Sequence, residues 1–138
     1  SVNIEADRNQ RTLWADPNQI RQVLINLLNN AIHATDEDGD ITVLLQSTDT
    51  GAHIDIIDSG TGIPKENLAR IFEPFFSTKA PGKGTGLGLS ICYGIIEKMG
   101  GKIDVQSKVG SGTTFLIYLP LQSKASRLGK ENSAEINQ

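Results

Sequence analysis

At 138 residues and 38% hydrophobic, the chain is long enough for one domain with a single core and too apolar for a disordered segment. A net charge of −3 gives no support to a nucleic-acid surface, and one cysteine, Cys92, provides no disulfide framework and points to a reducing compartment. No apolar run reaches the length of a membrane span and no signal peptide is read, so the expectation is a domain working in the aqueous phase, without nucleic acid or membrane contact.

In chain order, Val2-Asn3-Ile4 and Thr12-Leu13-Trp14-Ala15 read as short extended segments around a turn-like Asp7-Arg8-Asn9. The chain begins without an initiator Met or a linker, which suggests a piece of a longer protein. Asp16-Pro17 opens the first helix, Asp as the cap and Pro at the first helical position, where its missing N–H costs nothing. Ile20, Val23, Leu24, Leu27, Leu28 and Ala31 recur at steps of three and four, which makes one apolar stripe. At about 100° per residue, Asn26, Asn30 and His33 cluster on a face read as roughly opposite that stripe. Those amides are either solvated polar positions or ligands for a hard cation or a phosphate, since an Asn oxygen is competent toward magnesium.

The polar break Thr35–Asp40 leads into two alternating segments, Ile41–Ser47 and Ala52–Ile57, joined by Thr48-Asp49-Thr50-Gly51 into a hairpin with one buried side. Ile41, Val43 and Leu45 share one face and Ile54 and Ile56 share the next, while His53 is out of phase and faces the other side. Asp58-Ser59-Gly60-Thr61-Gly62-Ile63-Pro64 follows at once. A carboxylate at a strand end, ahead of two turn glycines, either supports a tight turn or accepts a hydrogen bond from an amino group. Pro64–Ile71 reads as a short helix, and Phe72-Glu73-Pro74-Phe75-Phe76 holds three of the four phenylalanines, expected to anchor the base of a loop. From Ser77 to Gly84 there is no apolar period, a composition that suits a mobile lid, with Lys79 and Lys83 as its cations.

Gly82, Gly84, Gly86 and Gly88 stand at alternate positions and run into the apolar helix Leu87–Met99. This is either a glycine-rich surface loop or a cradle in which bare N–H groups and a helix start receive an anion. Cys92 lies inside that helix and reads as a small core residue. Gly100-Gly101 ends the helix, Lys102–Ser107 and Thr113–Leu119 form a closing hairpin, and Leu121–Gln138 reads as a polar tail or linker. The division is therefore a domain over 1–120 and a tail over 121–138.

The segments Asn26-Leu27-Leu28-Asn29-Asn30-Ala31, Asp58-x-Gly60-x-Gly62, Phe72–Phe76, Gly84–Ser90 and Gly110-x-Gly112-Thr113-x-Phe115 stand together in a known order. Over about Asp7–Pro120 the chain resembles the catalytic, ATP-binding domain of two-component sensor histidine kinases, in the superfamily of gyrase, heat-shock chaperone and mismatch-repair ATPases. The fold this implies is a two-layer α/β (α+β) sandwich, a mixed, mostly antiparallel sheet of about five strands with three helices on one face and a mobile lid over the nucleotide.

The resemblance also implies roles. Asn30 would coordinate magnesium between the phosphates of ATP, Asp58 would accept from the adenine amino group, and Gly60, Gly62 and Ile63 would shape the base site together with Ala34. Thr113 would lie near the base, Gly84, Thr85, Gly86, Leu87 and Gly88 would form the phosphate turn, and Lys79 would reach the γ-phosphate. Related ATP hydrolases carry a general-base Glu one helical turn before the magnesium Asn; here that position is the amide of Asn26, which argues for phosphoryl transfer over hydrolysis. Many kinases have Lys where this chain has His33, so that phosphate contact would be weaker and pH-dependent.

The implied activity is protein-histidine phosphotransfer in cytoplasmic signal transduction: ATP and magnesium bound here, a histidine on a separate dimerisation and phosphoacceptor domain of the parent protein, and a response regulator downstream. The phosphoacceptor is not read in this chain, whose histidines are His33 and His53. A non-catalytic nucleotide-sensing module and an ATP hydrolase are the alternative readings.

Overall fold

The computed structural model describes residues 2–6, 16–76 and 87–120. The elements in order are β1 (Val2–Ala6), α1 (Pro17–Ala34), β2 (Ile41–Ser47), β3 (Gly51–Asp58), α2 (Lys65–Leu68), α3 (Gly88–Lys98), β4 (Lys102–Lys108) and β5 (Gly112–Pro120). Strands alternate because side chains of period two meet a core on one face, and α1 and α3 form because apolar residues recur at helical spacing. Asp16 caps α1 through its side-chain oxygen, which accepts from the Asn18 N–H at 2.9 Å, and Pro17 occupies the first turn.

The sheet order is β1-β2-β3-β5-β4. β1 runs parallel to β2 and every other pair is antiparallel, so the sheet is mixed and mostly antiparallel, as the sequence implied. Register places Val43, Ile56, Phe115 and Val105 in one cross-strand row, and Ile54, Ile117 and Ile103 in the next. These rows pack under Val23, Leu27 and Ala31 of α1 and Cys92 and Ile96 of α3, which together form the core. The helices cover that one face. On the other, His53 stacks on Tyr118 with ring centroids 5.0 Å apart, in agreement with its predicted phase.

Two readings need correction. The helix predicted over Pro64–Ile71 is a single turn, Lys65–Leu68, continued by bonds from Arg70 N to Asn67 O and Glu73 N to Arg70 O, each three residues apart. Only Ile71 is buried in this stretch, so too little apolar surface is gained to extend a helix. The aromatic trio divides as well: Phe72 packs on Tyr93 and Phe115 and Phe76 lies under the Arg70 guanidinium, whereas Phe75 is 76% exposed at φ 67°. Leu45, in phase with Ile41 and Val43 as read, pairs with Ala6 and Ile54 and is more exposed than Ile41 or Val43 in β2.

The second extended segment at Thr12–Ala15, the lid with Lys79 and Lys83, the glycines at 82, 84 and 86 with Thr85, and the tail over 121–138 lie outside the described residues. Among the described residues no helix is long and apolar enough to cross a membrane.

Candidate functional site

The site is built along α1. At the middle of that helix, Asn26 donates its side-chain N–H to the Gly88 carbonyl at 3.3 Å and so fastens α1 to the start of α3. Leu87 is the N-cap of α3 and supplies no side-chain cap, so the first-turn N–H groups have no side-chain acceptor from that position. Ser90 instead donates its hydroxyl to the Leu87 carbonyl at 2.9 Å. The buried Cys92 thiol, next along α3, lies 3.7 Å from the Val23 carbonyl of α1 and closes the joint.

At the C-terminal end of α1, the Ala34 carbonyl accepts from Thr61 N at 3.0 Å and draws the glycine turn onto the helix terminus. A Cβ on Gly60 would collide with that same carbonyl, and Gly62 stands at φ +79° with its Cα against the Lys108 carbonyl. Both glycines are therefore required by close backbone approach, and the second by its backbone angle as well. Gly110 N donates to Thr61 O at 2.9 Å, so the turn is sewn to the β4–β5 hairpin from its far side.

Asp58 ends β3 inside this seam and is only 6% exposed. Its Oδ1 accepts from Gly60 N at 2.9 Å and Thr113 N at 3.2 Å. Oδ2 takes no bond among the described residues, so one oxygen builds the turn and the other is available to a ligand donor. Thr113, 5% exposed, is the cross-strand partner of Asp58 on the same face of the sheet. Ser107 completes the wall, with its hydroxyl 2.7 Å from both Ile63 N and Thr113 Oγ1 and 3.0 Å from the Gly112 carbonyl. Sequence reading passed over Ser107, although a polar residue in phase with the core-facing Ile103 and Val105 was the available signal.

Asn30 lies on α1 between the Asn26 and Ala34 joints and is half-buried, as is Asn26, whereas His33 is exposed. The amides occupy the flank of α1 that turns toward α3, not the face opposite the apolar stripe. From Asn26 to Ala34 the helix advances about 12 Å, which leaves room for an elongated ligand between the α3 start and the Asp58 seam. Structure thus brings Ala34, Asp58, Gly60, Gly62, Ile63 and Thr113 together, and separately Asn26 with Leu87 and Gly88. Among the described residues no group of three His, Cys, Asp or Glu side chains converges as a metal site.

This sheet, its three helices and the seam at its edge define an α+β fold of the histidine kinase catalytic type. The catalytic domain of histidine kinase ThkA superposes with a TM-score of 0.77 at 42% identity, over 86% of this chain and 78% of that one. A ThkA structure in complex with the response regulator protein TrrA aligns at a TM-score of 0.73 and 38% identity, over 88% of this chain and 34% of that one.

Residues 15–123 match the histidine kinase-, DNA gyrase B- and HSP90-like ATPase family, and the chain belongs to that family. It is similar to sensor histidine kinase ZraS of Klebsiella oxytoca, 45% identical over 113 residues that cover 81% of this chain and 24% of the relative. It is also similar to sporulation kinase C of Bacillus subtilis (strain 168), 43% identical over 108 residues, 78% of this chain and 25% of the relative. The chain therefore spans about a quarter of the length of these curated relatives.

Proposed function

We propose that the chain binds ATP with magnesium and presents the γ-phosphoryl group to a histidine on a separate dimerisation and phosphoacceptor domain of its parent protein, which then serves a response regulator. The observation that carries this reading is Asp58. A buried carboxylate with one oxygen committed to two backbone N–H groups and the other uncommitted is an acceptor held ready for an exocyclic amine.

The residues present fit such a ligand. Glycines at 60 and 62 hold the backbone close where side chains would collide, and Thr113 adds a second polar group beside Asp58. At the far end, the first turn of α3 offers N–H groups and the positive end of a helix dipole to an anion. Asn30, midway and half-buried, supplies an oxygen for a hard cation, the remaining ligands coming from phosphate and water. Bound magnesium would neutralise phosphate charge as the phosphoryl group leaves. Lys79, Gly84, Thr85 and Gly86 complete the proposed contact set through the family resemblance, and His33 would take its place at the edge of the phosphates.

Transfer is favoured over hydrolysis because Asn26 cannot take a proton from water, and its amide is engaged with Gly88 instead. The protein's share of the work is positioning: it fixes the nucleotide so that an acceptor nitrogen can approach in line.

Incubation with radiolabelled ATP, magnesium and the parent protein's phosphoacceptor domain tests the proposal. Label on histidine of the added domain is the expected result. Binding without transfer would mark a nucleotide sensor, and steady phosphate release by this domain alone would mark a hydrolase.

A further inference from the structure

We infer that Ser107 is a positioning residue that sets base selectivity, by holding the Thr113 hydroxyl as a pure acceptor beside Asp58. The inference rests on the nucleotide-binding reading above and adds to it the choice of base.

It follows from counting protons. A serine hydroxyl has one proton and two lone pairs. The Ser107 oxygen accepts from Ile63 N–H at 2.7 Å, which uses one lone pair. It stands 3.0 Å from the Gly112 carbonyl, which can only accept, so the single Ser107 proton goes there. The remaining contact, 2.7 Å to Thr113 Oγ1, must then be donated by Thr113 into the second lone pair of Ser107. All of Ser107 is used. Thr113 has spent its hydroxyl proton on Ser107 and its backbone N–H on Asp58 Oδ1, so it can show a ligand lone pairs only.

Asp58 and Thr113 are cross-strand partners, and both are almost wholly buried. The uncommitted Oδ2 and the Thr113 oxygen therefore form a wall of acceptors without a donor. An exocyclic amine brings protons to such a wall, whereas a carbonyl at the same position of a purine sets lone pairs against lone pairs and leaves buried acceptors unpaired. Without Ser107, the Thr113 hydroxyl is free to turn and donate to that carbonyl.

Ser107 also ties Ile63 to β4, a purely structural task that would affect every base alike. The ratio of affinities separates the two roles. ATP and inosine triphosphate, which carries a carbonyl in place of the amine, are titrated calorimetrically into the wild type and into Ser107→Ala, Ser107→Cys and Ser107→Thr, with magnesium present. We expect wild type to prefer ATP, Ser107→Ala and Ser107→Cys to narrow that preference by about tenfold, and Ser107→Thr to restore it.

In a Thr113→Val background, which has no hydroxyl to turn, Ser107→Ala should leave the ratio unmoved. The Cys variant keeps the volume of the side chain and serves if the Ala variant fails to fold. Equal loss of both nucleotides in the Ala and Cys variants, or a wild type indifferent to the base, overturns the inference. A wild type that binds no ATP overturns instead the reading on which it rests.

Discussion

The two oxygens of Asp58 have different partners, and substitutions can separate what each contributes. Asp58→Ala strips the acceptor from the Gly60 and Thr113 N–H groups, and each buried orphan costs about 1–3 kcal/mol, so stability and nucleotide affinity should fall together. Asp58→Asn retains an oxygen for those two donors but turns an NH2 group toward the ligand. We expect its melting temperature to stay near wild type while ATP affinity falls by tenfold or more, since donor then faces donor. Calorimetry beside a thermal melt reads both, and an Asn variant that binds ATP as wild type does would remove the proposed adenine contact.

Cys92 presents a second case at the same scale. Burial pushes its thiol up from 9.0 to about 11, partly offset by hydrogen bonds from the Asn26 side chain and its own backbone. Below pH 9 the thiol is neutral in folded and unfolded chains and contributes no pH dependence. Above pH 9 the unfolded thiol ionises first, so stability is lost as pH rises toward about 11, by on the order of 2 kcal/mol. Cys92→Ala should flatten that alkaline limb in denaturant titrations, and an identical slope in the variant would contradict the assignment.

At the scale of elements, α1 works as a strut with one joint at its middle, Asn26 to Gly88, and one at its C-terminal end, Ala34 to the turn at Gly60 and Thr61. Its start was legible because a cap and a proline act locally, and its core face was legible because 3.6-residue periodicity is a property of the segment alone. The direction of the amide face was not legible, because it depends on where α3 packs. Likewise, three phenylalanines within five residues look equivalent in sequence, yet Phe75, with its backbone in the left-handed region, has its ring out in solvent.

Two glycines test how local and tertiary terms divide. Gly62 combines φ +79° with a close approach to Lys108, so Gly62→Ala should destabilise the fold by roughly 1–3 kcal/mol. Gly94 sits within α3 with no atom within 4 Å of an added Cβ, so Gly94→Ala should stabilise by about 0.5–1 kcal/mol through helix propensity. Chemical denaturation checks both signs, and a neutral Gly62→Ala would show that the turn relaxes without penalty.

For the molecule as a whole, alternation and helical stripes gave strands and helices, and the mixed sheet under one layer of helices was anticipated only through the family resemblance that the ordered motifs carry. Strand order could not be read from the residues themselves: β5 sits between β3 and β4, and β1 joins in parallel, through pairings set by contacts distant in sequence. Ser107 escaped for a related reason, since its importance arises only when the Ile63 turn, the Gly112 carbonyl and Thr113 meet around it.

That convergence would make a bound nucleotide a link between parts of the fold, and the proposed binding should register as stability of the whole. A ligand that binds only the folded chain adds RT ln(1 + [L]/Kd), about 2.7 kcal/mol at a hundredfold excess over Kd. Asn30 is half-buried and its side chain makes no hydrogen bond among the described residues, so Asn30→Ala should change the melting temperature of the free chain little. With ATP alone, variant and wild type should shift upward equally, through base and phosphate contacts that Asn30 does not make. Adding magnesium should raise the wild type further and the variant hardly at all, because the amide oxygen proposed to hold the metal is gone. Equal magnesium-dependent shifts in the two proteins would place the cation elsewhere and remove Asn30 from the site.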